Sequence, residues 1–276
     1  MWKADTGIQR FRDIRLENDI LKPGEPYTEK KKAVLWPFKK PTLPTEFAKV
    51  RDAKSAIRFE RRFAPLGYDQ LVTDFIKERK DGDPIDWVLE HARFVRFALN
   101  LMWYLAFGRE QELRKLIDSE KTGVLYPQGH DQITYPHGAY KQTLLLSHAG
   151  YTDKEIVWLT RTIVAMLVSD NTEKMHQVLE GGREELIWVR RFNGLIEAIW
   201  SMVGDLATKA EQQSEKEYFV RCEHCKEVFF SDDGRQRFCP PVEGQAGRRQ
   251  SLCGLQYRQH KLQAKQKEAH SERTHS

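Results

Sequence analysis

Cys222-Glu223-His224-Cys225 sets two thiols two residues apart, and Cys239 and Cys253 complete the set, so all four cysteines of this 276-residue chain lie between positions 222 and 253. Four thiolates meeting at one point make a tetrahedral zinc shell, with Zn–S distances of about 2.3 Å. A shell made only of cysteine leaves no position for water or substrate, so such an ion holds shape and performs no chemistry. Two disulfides are the other use of four cysteines, but their clustering in one short segment and a reducing compartment favour a single metal site. His224 is wedged inside the turn and is not needed once Cys222, Cys225, Cys239 and Cys253 fill the shell.

The elements that must position these sulfurs are short. Val228-Phe229-Phe230 reads as a strand, Asp232-Asp233-Gly234 as a turn, and Arg235-Gln236-Arg237-Phe238 as the return to Cys239, which predicts a knuckle followed by a hairpin. Cys253 opens a final helix from Gly254 to about Lys267, giving a treble-clef-like or zinc-ribbon-like module. Between Arg235 and Lys267 stand eight cations, Arg235, Arg237, Arg248, Arg249, Arg258, Lys261, Lys265 and Lys267, against Glu243 alone. Arg258, Lys261 and Lys265 recur at three-and-four spacing, one face of a helix, while Leu255 and Leu262 are expected to pack inward. Such a row can neutralise backbone phosphates, with Arg248 and Arg249 reaching the same groove from the preceding loop.

Arg221-Cys222-Glu223-His224-Cys225, Phe230-Ser231-Asp232, Arg237-Phe238-Cys239 and Cys253-Gly254-Leu255-Gln256-Tyr257-Arg258 together resemble the zinc finger of the bacterial CGNR proteins. In that family the finger follows a helical region called the ABATE domain. Leu255-Gln256 stands where the family has Asn-Arg, and the stretch from Cys239 to Cys253 is longer. The resemblance implies a bacterial transcriptional regulator that binds DNA through its finger.

Upstream of the finger the apolar spacing is mostly helical from Val50 to Gln213. Asp83-Pro84 predicts a helix start, with Asp83 as cap and Pro84 in the first turn, and the helix continues to about Phe107 through Trp87, His91, Phe94, Ala98, Leu101 and Leu105. Thr152 and Glu155 have the spacing of a capping box and open a second helix that Gly181 and Gly182 stop. A third is predicted from about Arg183 to Glu211, with Trp188, Phe192, Leu195, Ile199, Met202 and Leu206 on one face. Residues 1 to 46, with five prolines and Lys30-Lys31-Lys32, read as an extended arm anchored by Trp36 and Phe38. The expected organisation is a 1–46 arm, a 47–215 helical domain, a 216–267 zinc module and a 268–276 tail, a mainly α protein with a small α+β appendage.

Charge is unevenly distributed. Residues 1–62 carry 16 Lys/Arg against 9 Asp/Glu, residues 63–217 carry 18 against 24, and residues 218–276 carry 11 against 7. Basic ends around an acidic middle point to an anionic partner, nucleic acid above all, with duplex DNA favoured over RNA. The helical domain is left to sense a ligand, a protein partner or a second subunit. The rival reading makes the finger a protein-interaction or structural module of a larger bacterial assembly. His130, His137 and His148 lie in the loop-like stretch from Gly123 to Gly150 but match no metal motif, and no phosphate-cradling, nucleophile-elbow or H-E-x-x-H pattern occurs, so no enzyme is expected. With no apolar leader and no span of about 20 apolar residues, a cytoplasmic protein with no membrane partner is expected.

Overall fold

The computed structural model describes residues 3–4, 7–29, 34–68, 81–122, 130–138, 140–147, 150–172, 176–181, 186–211, 219–231, 233, 235–240 and 251–274. The described chain opens with five short strands, Lys3–Ala4 (β1), Ile8–Gln9 (β2), Ile14–Glu17 (β3), Ile20–Pro23 (β4) and Val34–Leu35 (β5). Helices Leu43–Phe47 (α1) and Ala53–Arg62 (α2), strand Asp83–Pro84 (β6), and helices Ile85–Ala106 (α3) and Glu110–Glu120 (α4) follow. Next come strands His130–His137 (β7) and Tyr140–Ser147 (β8), helix Asp153–Asn171 (α5), strands His176–Gly181 (β9) and Leu186–Arg191 (β10), and helix Leu195–Glu211 (α6). Strands Phe219–Arg221 (β11) and Val228–Phe230 (β12) and helix Leu252–Thr274 (α7) complete it. The architecture is mainly α with small sheets, divided into two compact units, Met1–Glu211 and Gln212–Ser276.

Helix α3 is the centre of the first unit because its sequence from Phe97 to Ala106 is apolar on nearly every side, Asn100 apart, the mark of a helix packed among others. Trp87, Val88, Phe94, Val95, Ala98, Leu99, Leu101 and Met102 are buried along it, and α4, α5, α6 and β7 all pack against it. Fully burying each Val, Leu, Phe or Met side chain among them stabilises the fold by about 1.5–3 kcal/mol. Helix α5 starts at the predicted capping box: Thr152 N–H donates to Glu155 Oε2 at 2.7 Å, and Glu155 N–H to Thr152 Oγ1 at 3.4 Å.

Several expectations are corrected. Asp83 does not cap α3. It pairs with Leu21 as part of β6, and its buried carboxylate accepts from the backbone N–H groups of Leu66 at 2.6 Å, Gly67 at 3.1 Å and Tyr68 at 2.6 Å. Gly67, at φ +89°, supplies the left-handed turn that aims those amides at one carboxylate. A buried charge needs several donors, and three convergent amides of a distant turn serve it better than the first turn of its own helix.

The second predicted helix ends at Asn171, not at Gly181-Gly182, and β9 follows. The third does not run from Arg183: residues 186–191 form β10, antiparallel to β9, and the helix begins at Leu195. The stretch from Gly123 to Gly150 contains the β7–β8 hairpin, in register from His130↔Ser147 to His137↔Tyr140. The predicted arm carries the five short strands β1 to β5, with Ile14, Leu21 and Leu35 buried. Phe38 does anchor it, stacking on Phe192 at 5.2 Å between ring centroids. Lys30, Lys31, Lys32 and His148 lie outside the described residues.

Candidate metal centre

In the second unit the Cys222–Cys225 turn joins β11 to β12, which pair Phe219↔Phe230, Val220↔Phe229 and Arg221↔Val228. The hairpin therefore encloses the knuckle instead of following it, and Arg235 to Phe238 form no strand. The turn is closed by Lys226 N–H to Cys222 carbonyl at 3.0 Å and Cys222 N–H to Glu227 carbonyl at 2.9 Å. Lys226 adopts φ +62° to make it. Glu223 N–H donates to the Arg237 carbonyl at 3.0 Å, which lays the strandless segment against the knuckle and delivers Cys239 to it.

The fourth sulfur comes from the helix. Ser251 accepts the Gly254 N–H at 2.9 Å, capping α7 so that Cys253 falls in its first turn. Gly254 allows close approach: a Cβ there would lie 3.2 Å from Ser251 Oγ and 3.4 Å from Phe238 Cδ2. Phe238 then meets Tyr257 at 5.2 Å between ring centroids. Cys222, Phe229 and Cys239 form a small buried core with Val220, Phe238 and Cys253 packed on it. Too little apolar surface gathers here to hold the unit by itself.

The Sγ atoms of Cys222, Cys225, Cys239 and Cys253 all lie within 4.8 Å of one another, and Cys225 and Cys239 approach to 3.5 Å. A regular zinc–thiolate tetrahedron with bonds of about 2.3 Å has edges of about 3.8 Å, so these four residues can hold one metal ion. Their electrostatics agree. The Cys225 thiol is drawn down to about 5, first by its hydrogen bond with Cys239. Cys253 is pushed up to about 12, first by burial and then by the negative charge of its neighbours. One thiolate thus opposes the next, and a divalent cation between them removes that opposition. Among the described residues no other group of three or more His, Cys, Asp and Glu side chains gathers in this way. His130 and His137 stand at the two ends of β7.

The predicted basic residues are distributed over this unit. Arg235 is 95% exposed in its side chain and lies 3.4 Å from Asp233. Arg237 faces Glu223 at 3.6 Å. On α7, every residue from Arg258 to Ala264 is exposed, Lys261 included, and Arg258 Nε donates to the Gly254 carbonyl at 3.1 Å. Lys265 falls within α7, but its side chain, like all of Arg248 and Arg249, is outside what is described. Leu262 does not pack inward; it is 61% exposed, because the helix has left the module by then. Ser251, whose cap fixes where Cys253 sits, is a residue that the cysteine spacing alone does not point to; Ser231, already part of the Phe230-Ser231-Asp232 match, is a buried hydroxyl bonded to Gln236 Oε1 at 2.6 Å and to the Asp233 carbonyl at 2.9 Å. A serine directly before Leu252-Cys253-Gly254 was the available signal.

Comparison with protein-family profiles, with curated proteins and with solved structures gives no match to this chain. No helix among the described residues is long and apolar enough to cross a membrane.

Proposed function

We propose that residues 216–267 form a zinc-stabilised, treble-clef-like nucleic-acid-binding module, and that the protein is a transcriptional regulator acting on duplex DNA, as its resemblance to the CGNR fingers implies. The observation that carries this reading is a helix rooted by Cys253 in the sulfur cluster and exposed on all sides from Arg258 to Ala264. Helices polar all round are marginal in water unless something covers them. At 23 residues α7 is about 35 Å long. Its girth of about 10–12 Å matches a B-form major groove about 12 Å wide. Arg258 and Lys261 share a face that meets phosphates, while Gln259 and Gln263, one turn apart, are suited to adenine edges.

Binding of a labelled DNA duplex measured against salt tests this reading. Log K should fall with log salt at about 0.9 per phosphate contact, and Arg258→Glu or Lys261→Glu should each reduce the slope by about 1. An affinity indifferent to salt and to both substitutions overturns the nucleic-acid role. An RNA duplex, whose major groove is too deep and narrow for a helix, should bind more weakly.

A further inference from the structure

We infer that Cys225 is an oxidant-reactive thiol and that Cys239 is its resolving partner, so that peroxide converts the metal centre into a Cys225–Cys239 disulfide and expels the ion. The metal release rests on the zinc reading; the linkage rests on the sulfur geometry alone. Two features of the site single out this pair, and a third confines the choice to the cluster. Cys225 is exposed, whereas Cys222 and Cys239 are buried and Cys253 is half-covered, so a small oxidant in water meets Cys225 first. The Cys239 sulfur is 3.5 Å from it, close enough to attack the oxidised Cys225 sulfur. All four cysteines of the chain belong to this cluster, so no thiol elsewhere competes for the oxidised sulfur.

The chemistry balances with hydrogen peroxide as the oxidant. The Cys225 sulfur attacks one peroxide oxygen and the O–O bond breaks; Cys225 becomes a sulfenic acid and one water leaves. The Cys239 sulfur then attacks Cys225 Sγ, forming the S–S bond and breaking the S–O bond, and the departing hydroxide takes a proton to leave as a second water. Two thiols are oxidised by two electrons in all, and one peroxide is reduced to two waters. Cys222 and Cys253 remain as thiols, and two ligands no longer hold the ion in a closed shell. Loss of the ion removes the tie between Cys253 and the knuckle, so the base of α7 is freed and the helix no longer projects from a fixed platform.

The full chain, purified under reducing conditions and freed of reductant, is treated with hydrogen peroxide, and metal release is followed with a colorimetric zinc chelator while the linkage is mapped by peptide mass spectrometry with differential alkylation. The expected result is release of about one zinc per chain, in step with a Cys225–Cys239 linkage that dithiothreitol and added zinc reverse. Zinc retained under peroxide, or a linkage joining Cys222 to Cys225 or Cys239 to Cys253, overturns the assignment. A preparation that holds no metal before oxidation counts against the zinc reading, and the mapped linkage then decides the modification site by itself.

Discussion

The indole N–H of Trp200 donates to Nδ1 of His91 at 3.1 Å, and both side chains have no exposure. The bond ties α6 to α3 across the core and leaves the proton of the neutral imidazole on Nε2. Burial lowers the His91 pKa to about 3, opposed in part by the Gly138 carbonyl, which also takes the Trp87 indole N–H.

This pair predicts an acid-sensitive first unit. The unfolded chain takes up a proton on His91 near pH 6.5 while the folded chain resists until about pH 3, so stability is full above the first value and declines as pH falls toward the second. His91→Phe leaves the Trp200 N–H without an acceptor and should cost about 1–3 kcal/mol at neutral pH, while flattening that decline. Thermal melts of both proteins at pH 7.5 and pH 4.5 check it; parallel pH dependence would count against the buried imidazole as the cause.

Glu60 predicts the opposite slope. It is 1% exposed, and burial first, then the charge of Asp83, holds its carboxyl well above the usual range. A raised pKa in the folded state means a contribution fully present below the unfolded value and lost as pH rises through the folded one. Glu60→Gln, which cannot ionise and whose amide can donate to Asp83, should raise the melting temperature, and more at pH 8 than at pH 5. Equal shifts at the two pH values would show that ionisation of Glu60 is not what limits stability.

The zinc reading predicts that chelation unfolds the second unit and spares the first. Structural zinc contributes about 10–16 kcal/mol to the folding of small finger peptides at neutral pH, far beyond what the Cys222–Phe229–Cys239 core can replace. Limited proteolysis after chelation is expected to degrade the chain from about residue 212 onward while the helical unit survives. Unchanged protection of both units would mean that the sulfurs are not holding the fold together through an ion.

Lys226 predicts a stabilising change. Its φ of +62° costs a side-chain-bearing residue about 1–2 kcal/mol, and glycine avoids that cost. Lys226→Gly should therefore stabilise the knuckle by up to about 1 kcal/mol, after the loss of the Lys226 Nζ bond to the Glu223 carbonyl, whereas Lys226→Val should destabilise it. Competition with a zinc chelator reads both: the glycine variant should retain metal longer and the valine variant release it sooner.

Features that depend on near neighbours were legible in the chain by itself. The spacing of Cys222 and Cys225 already closes a two-residue turn, Thr152 and Glu155 already form a cap, and the three-and-four spacing from Trp87 to Leu105 already predicts a long helix, because each follows from contacts within a turn or two. Features that depend on a remote partner were decided by the tertiary structure. Leu186-Ile187-Trp188-Val189, rich in β-branched and aromatic side chains, continues the helical spacing of the residues after Leu195, and pairing with His176–Gly181 on one edge and Lys3–Ala4 on the other makes it a strand. Asp83 could cap the helix beside it or the turn at Leu66–Tyr68, and burial selects the turn because three amides converge there. The spacing of the cysteines suggested that four sulfurs share one point, but the exposure of Cys225 and its 3.5 Å approach to Cys239 come from how the knuckle, the 235–239 segment and the first turn of the last helix pack together, which no local pattern encodes.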